Sequence, residues 1–315
     1  MKALYLSDGE IRLRRITKPI PTSNEALVKV KKAGICNTDL ELIKGYMGFE
    51  GIPGHEFVGR VVQSPSSEWT GKRVVGEINL SCGHCDFCRQ RQPKHCLNRS
   101  VLGLSGKNGA FAEYLTLPLQ NLHVVPDTVS DTEAVFVEPL AAACDVLDQT
   151  EIDRRTSVAV LGDGKLGLLI AQVIKQKTHR VFCYGKHGSK LEILKKAGIR
   201  TSIQGKTKKR FDVVVEATGH VSGLRHCLSI VKPKGSIVLK STLEEPVPFD
   251  TSKIVVDEIR LVGSRCGPFE RALDLLENKS IRVEDLVSGE FSLEQYRDAF
   301  ALAVKSEAVK VLLVP

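Results

Sequence analysis

Apolar and polar positions change rhythm twice along these 315 residues. Up to about residue 125 the apolar runs are short, alternating or β-branched, as in EALVKVKKAGIC, FVGRVVQ and GKRVVGEI, and Gly, Pro and Ser interrupt them. Alternation sends successive side chains to opposite faces of a strand, so this part reads as β-rich. After VVPDTVSDTEA the texture turns helical, with TEAVFVEPLAAACDVL as the helical stretch and Ser130 or Asp131 as its cap. From Ser157 onward, SVAVLG, RVFCYG, DVVVEATG, GSIVLKS and IRLVGSR are short apolar runs suited to burial on both faces. Amphipathic segments such as KLGLLIAQVIKQ and SKLEILKKAG lie between some of them. Strands alternating with helices predict an α/β, doubly wound parallel sheet. A helix over LEQYRDAFALAV and a strand over AVKVLLVP close the chain.

Composition narrows the class. With 42% apolar and 26% charged residues, the sequence is that of an ordinary globular protein long enough for two domains. No apolar run reaches the length of a membrane span, and the first residues, MKALYLSDGEIRLRRI, alternate like a strand instead of resembling an export signal. The expectation is a cytoplasmic protein with no membrane partner. The net charge of +8 raises the question of nucleic acid, but the basic residues are scattered and aromatics are only 5%, too sparse for base-stacking platforms. No nucleic-acid partner is expected.

The nine cysteines carry more information. In a reducing compartment a tight thiol cluster points to metal before disulfides. Cys82, Cys85, Cys88 and Cys96 have the spacing C-x2-C-x2-C-x7-C, which suits four thiolates around a tetrahedral zinc. Such a site is coordinatively full and braces a loop, so the reaction belongs elsewhere. His84 and His95 are surplus to it and read as loop residues. Cys144, Cys183 and Cys227 lie in or beside apolar runs and read as small buried residues. The sequence assigns no role to Cys266.

VAVLGDGKLG places Gly162, Gly164 and Gly167 as G-x-G-x-x-G after a strand and before a helix, the dinucleotide-binding arrangement. Gly162 allows the turn, Gly164 lets a pyrophosphate approach, and Gly167 permits close helix–strand packing. The N–H groups near Lys165 and Leu166 would face the phosphates. The next strand, RVFCYG, would end in Asp or Glu in an NAD-preferring site, because that carboxylate bonds the ribose 2′-OH. Gly185 stands there, followed by Lys186 and His187. A missing carboxylate and two basic residues favour a 2′-phosphate, so NADP is expected over NAD. The plainer alternative is that Lys186 and His187 are solvated loop residues.

Three further pieces hold candidate ligands for an open metal site: AGICNTDLE around Cys36, PGHEFVG around His55 and Glu56, and VEPLAAA around Glu138. With GAFAEYLTLP, VVVEATG and VGSRCGPFERAL, and in this order, the motifs resemble those of the zinc-containing medium-chain dehydrogenase/reductase family. The EPLA element is more similar to the polyol and threonine dehydrogenase branch. The resemblance covers nearly the whole chain. It implies a GroES-like catalytic domain over 1–138 with the zinc loop at 82–96, a Rossmann domain over 139–265, and a segment 266–315 returning to the catalytic domain. It also implies two zinc ions per chain, one catalytic and one structural.

In that family Cys36, His55 and a carboxylate would hold the catalytic zinc, and Glu56 and Glu138 are both candidates. One thiolate with two carboxylates would leave the site net negative and weaken the Lewis acid, so a single glutamate is expected to bind directly at a time. For bound water, zinc lowers the pKa from about 15.7 to about 7, on the order of 12 kcal/mol. General acid–base help supplies about 3–5 kcal/mol. The metal therefore dominates. Thr38 matches the family hydroxyl that takes the alcohol proton. Glu41 stands where many members carry a relay histidine, and either relays protons or, as Thr38-x-x-Glu41, closes a capping box. Asp39 reads as the structural partner of a basic residue. Thr218, Gly219 and Arg265 are placed on the cofactor side by resemblance, with a structural ion pair as the alternative for Arg265. The basic stretch 204–210 reads as solvated.

The implied activity is oxidation of an alcohol or polyol, or reduction of the matching carbonyl, with a nicotinamide cofactor. Tyr46, Met47 and Phe49 would line the substrate pocket, and a homodimer or homotetramer is implied. A zinc-independent quinone or enoyl reductase of the same superfamily would lack the four-cysteine loop and the Cys/His ligands. A zinc-loop nucleic-acid-binding protein would have no use for G-x-G-x-x-G.

Overall fold

A computed structural model describes residues 1–203, 207–242, 246–248 and 250–315. The stretch 204–206 of the basic loop lies outside the described residues. The chain divides into two compact units. One comprises Met1–Glu138, Leu276–Asn278 and Val287–Pro315, and the other Pro139–Leu275 and Lys279–Leu286.

The first unit opens with the hairpin Lys2–Ser7 and Glu10–Arg15, turned by Asp8 and Gly9, both at positive φ as a two-residue primed turn requires. Its main sheet runs Leu122–Val124, Arg73–Gly76, Glu56–Gln63, Glu25–Ile35, Lys310–Val314 and Val287–Ser292, and Tyr114–Pro118 also pairs with Glu25–Ile35. The chain's last strand thus lies antiparallel beside its long central one, with Leu312 opposite Gly34, and Gly34 in turn opposite Glu56. That register brings the end of the long central strand against the starts of its two neighbours, Glu56 and Lys310, which matters for the site below.

Among the described residues, the second unit holds six parallel strands in the order Arg200–Ile203, Val181–Gly185, Val158–Leu161, Phe211–Glu216, Val231–Leu239 and Arg260–Gly263. This is the doubly wound Rossmann order 3-2-1-4-5-6. Five of these strands are legible as apolar runs. Arg200–Ile203 is an edge strand whose mostly exposed, polar residues carry no such signal. The helices Lys165–Lys175 and Gly188–Lys196 follow the first two strands.

The expected helical stretch after residue 130 is broken into Asp131–Ala134, Val137–Cys144 and Val146–Gln149. Ser130 caps it, its hydroxyl accepting from Glu133 N while the Glu133 carboxylate accepts from Ser130 N. Pro139 accounts for the first break, since it has no N–H to give to the carbonyl of Val135 in a continuous helix.

The return to the first unit also comes later than residue 266. A Cβ on Gly267 would meet the carbonyl oxygen of Ala141 at 1.9 Å, and Arg271 reaches the Asp148 carboxylate at 2.8 Å. These contacts keep the 266–275 stretch within the second unit. None of the described helices is long and apolar enough to cross a membrane.

Gly162 has φ +119°, and a Cβ there would lie 2.2 Å from the carbonyl oxygen of Ala217. Gly164 has an ordinary φ of −72°, and a Cβ there would meet no atom of the described residues within 4 Å. Gly162→Ala is therefore expected to lower unfolding stability by about 2 kcal/mol or more. Gly164→Ala is expected to leave stability nearly unchanged while weakening dinucleotide binding. Urea unfolding of the two variants checks this, and equal losses would contradict it.

Candidate active site

The loop 82–96 folds its four thiols inward. The Cys82–Cys96 and Cys85–Cys88 sulfurs are 3.5 Å apart, Cys85–Cys96 3.8 Å and Cys82–Cys88 4.0 Å. Sulfurs bound to one tetrahedral zinc at 2.3 Å lie about 3.8 Å apart, and a disulfide would need about 2.05 Å. The four residues fit a zinc ion. Backbone N–H groups of His84 and then Cys85 draw the Cys82 thiol down to about 6, while burial and neighbouring thiols push Cys88 up to about 11. His84 bonds the Cys82 carbonyl through Nδ1, and His95 packs on Phe87, so neither joins the sulfur cluster. Cys144, Cys183 and Cys227 are fully buried, and burial holds Cys144 up at about 12.

A second cluster forms where the strands of the first unit meet. Cys36 follows the long strand Glu25–Ile35 and is the N-cap of the helix Asn37–Ile43. Glu56 begins the strand paired with Glu25–Ile35, and His55 immediately precedes that strand. Donor atoms of Cys36, His55 and Glu56 all lie within 4.8 Å of one another, with His55 and Glu56 buried and Cys36 partly open. A thiolate, an imidazole and a carboxylate leaving one side accessible is the donor set of a catalytic zinc. Glu138 is not in this cluster.

The backbone around the cluster is pinned by Asp39, which is completely buried. Its Oδ2 accepts from Cys36 N at 2.7 Å and its Oδ1 from Gly54 N at 3.2 Å, and Oδ1 stands 3.5 Å from His55 Nδ1. The basic partner expected for Asp39 is thus His55. The capping box is made by Cys36 and Asp39, which corrects the Thr38–Glu41 expectation. The helix begins two residues earlier than that spacing assumed. Glu41 is exposed and pairs with Lys44 at 2.8 Å. The Thr38 hydroxyl lies 3.7 Å from the Cys36 sulfur. Among the described residues, buried His55 Nδ1 has no aligned hydrogen-bond partner. Burial disfavours its charge, but Asp39 and Cys36 outweigh burial and hold the imidazole pKa well above the ordinary value.

Behind the cluster Glu56 is paired with Lys310, the first residue of the last strand, and their exposures are 1% and 0%. Gly34 makes room for the pair: a Cβ there would sit 2.6 Å from Glu56 Oε2 and 3.2 Å from the Lys310 side chain. Sequence reasoning missed Lys310. The available signal was one lysine opening the otherwise apolar run KVLLV. Among the residues expected to line the pocket, Met47 is exposed with φ +60°, and Tyr46 and Phe49 are half-buried.

In the second unit, the turn Gly162–Gly167 joins the first strand to the helix Lys165–Lys175, with Gly164 as N-cap. A Cβ on Gly167 would strike the Gly162 carbonyl at 2.1 Å, the close packing this glycine was expected to allow. Gly185 ends its strand buried, Lys186 is exposed and His187 half-buried. Thr218 gives its N–H and hydroxyl to Glu216 Oε1, and Gly219 N bonds Ser241. Arg265 N is held by Asp145 Oδ2 at 3.2 Å and its carbonyl by Lys240 Nζ at 2.8 Å.

This assembly of a β unit with thiol-rich loops and a Rossmann unit defines an oxidoreductase architecture, and comparison agrees. Residues 22–127 match the alcohol dehydrogenase GroES-like domain and residues 132–314 the glucose dehydrogenase C-terminus. The chain belongs to the zinc-containing medium-chain dehydrogenase/reductase family and is an oxidoreductase of the alcohol dehydrogenase type. It is similar to a sorbitol dehydrogenase of Halalkalibacterium halodurans, 30% identical, with 100% of this chain and 99% of that one covered. Among solved structures it is similar to a zinc-binding dehydrogenase of Sinorhizobium meliloti bound to NADP, 30% identical with TM-score 0.92. It is also similar to an Escherichia coli alcohol dehydrogenase complexed with NADH, 28% identical with TM-score 0.93. Each of the two comparisons covers 100% of this chain and 99% of the other.

Two outcomes follow for the cluster. A proton on His55 must leave before the ring can ligate, and the raised pKa keeps it there to higher pH. Zinc affinity of the metal-free protein should therefore rise with pH from 6 to 8, with proton release on binding, and a flat profile would contradict this. Lys310→Met strands a buried carboxylate and should cost about 3–5 kcal/mol. Adding Glu56→Gln should restore most of that stability, measured by denaturant unfolding, and no recovery would refute the pairing.

Proposed function

We propose that this protein is a zinc-dependent dehydrogenase of polyols or related alcohols, working equally as a reductase of the matching carbonyl, with NADP(H) preferred over NAD(H). The observation that carries the reading is the convergence of Cys36, His55 and Glu56 within 4.8 Å in a partly open site. The similarity to a sorbitol dehydrogenase supports polyols as the substrate class.

Two zinc ions per chain are proposed, one in the four-sulfur loop and one held by Cys36, His55 and Glu56. When bound at the second site, zinc supplies Lewis acidity to a substrate oxygen. The protein's own residues prepare that chemistry. Asp39 orients the imidazole of His55, and Lys310 offsets the charge of Glu56 so that the site retains a net positive charge. Glu138, outside the three-residue cluster, is proposed to act through water. The Thr38 hydroxyl takes the substrate proton and releases it toward solvent, where Glu41, one turn further along the helix, is exposed. Thr218, Gly219 and Arg265 are proposed to serve the nicotinamide half of the coenzyme. Gly162, Gly164 and Gly167, with the N–H groups near Lys165 and Leu166, are proposed to receive the pyrophosphate, and Lys186 and His187 the 2′-phosphate.

A homo-oligomer, dimer or tetramer, is also proposed. It is supported by the exposed Val255 and Val256, at 75% and 80%, just before the edge strand Arg260–Gly263.

The test is a screen of linear polyols, simple alcohols and aldehydes against both coenzymes with the zinc-replete enzyme, following nicotinamide absorbance. Turnover of polyols with higher kcat/KM for NADP(H) is expected. No turnover with any alcohol or polyol would overturn the activity, and higher efficiency with NAD(H) would overturn the coenzyme preference.

A further inference from the structure

The strand Val181–Gly185 ends where an NAD-type site carries a carboxylate, and here that place is taken from the neighbouring strand's turn. An ideal Cβ on Gly185 would sit 2.4 Å from the Cβ of Asp163 and 2.5 Å from its Cγ and Oδ2. Asp163, the second residue of GDGKLG, therefore fills the space that any side chain at 185 would need. It is only 6% exposed. Its Oδ2 accepts from Lys186 N at 2.7 Å and His187 N at 2.6 Å, and lies 3.1 Å from His187 Nδ1. Two successive backbone N–H groups converging on one oxygen form an anion nest, and in this chain the anion is internal.

The consequences for the coenzyme follow from that geometry and rest on the dinucleotide reading above. Asp163 turns inward and its Oδ2 is taken up by three donors, so it is not presented to a ribose as a strand-end carboxylate would be. What it does is fix the backbone of residues 186 and 187. With Nδ1 donating to Asp163, Nε2 is the ring nitrogen left for a ligand. Lys186 is exposed beside it. We propose that Asp163 is a positioning residue that sets Lys186 and His187 for the 2′-phosphate of NADP(H). By occupying the space next to Gly185, it also bars the carboxylate that would select NAD(H).

Equilibrium binding of adenosine 2′,5′-bisphosphate, ADP, NADPH and NADH to the zinc-loaded enzyme tests this without turnover. Four variants are compared with the unaltered enzyme: Asp163→Ala, Asp163→Asn, Gly185→Asp, and the double variant Asp163→Ala/Gly185→Asp. The expected result is that Asp163→Ala weakens adenosine 2′,5′-bisphosphate and NADPH about tenfold or more while changing ADP and NADH little. Asp163→Asn, which keeps the acceptor oxygen, should recover much of the loss. Gly185→Asp alone should impair all four ligands by collision. The double variant should bind NADH better than Gly185→Asp does and reverse the NADPH/NADH preference.

A purely structural Asp163 would lower every affinity together in Asp163→Ala, and that outcome overturns the proposal. So does selective loss of NADH in Asp163→Ala, which would make Asp163 a direct ribose ligand. Normal NADH binding by Gly185→Asp alone overturns it too. Failure of the unaltered enzyme to bind either dinucleotide would instead remove the dinucleotide reading, and this proposal with it.

Discussion

A carboxylate taken out of water must find a counter-charge or hydrogen-bond donors, and in the first unit Glu56 meets that demand with Lys310. Glu56 and Lys310 are both withdrawn from solvent, and neither would tolerate burial alone. Their meeting requires the chain's last strand to lie beside its long central strand, with Gly34 left bare to admit both side chains. Charge counting then connects the pair to chemistry. On the proposed zinc binding, a divalent ion held by one thiolate and one carboxylate would be neutral, and the ammonium of Lys310 would supply a positive field beside it. A second directly bound carboxylate would cancel it again. On this account the electrophilic character of the site depends on a residue 254 positions away in sequence from the glutamate it serves.

Backbone geometry carries the rest of the placement. Asp39 ties the start of the helix Asn37–Ile43 to the turn before His55 through two N–H groups, Cys36 N and Gly54 N. Asp163 does the corresponding work in the second unit, tying the Gly-rich turn to the residues after Gly185. In each case one buried carboxylate accepts backbone donors from a loop that would otherwise be free to drift. A site placed in this way is preorganised, because its ligands are held by strand ends and caps instead of by long side chains.

The parallel sheet was legible because both of its faces are covered, so its strands read as continuous apolar runs. Arg200–Ile203 escaped because an exposed edge strand has no apolar face to reveal it. The grouping of the four cysteines was legible from spacing alone, since the thiols that meet lie within one short loop. The open cluster was only partly so. Cys36 and His55 could be named from their motifs, but the choice between Glu56 and Glu138 depends on pairing register, which one sequence does not display. Lys310 and Asp163 were missed for a related reason. Each acts through a partner distant in sequence, and each looks ordinary in its own neighbourhood. The Thr38–Glu41 spacing misled because Cys36, not Thr38, is the N-cap, which moved the box to Asp39.

The proposed chemistry requires metal at the open cluster. Anomalous diffraction at the zinc edge from crystals of metal-replete protein measures it directly. The prediction is one peak amid the sulfurs of Cys82, Cys85, Cys88 and Cys96 and a second bounded by Cys36, His55 and Glu56, with Lys310 still against Glu56. A single peak in the four-sulfur loop, with none at the second cluster, would contradict the account.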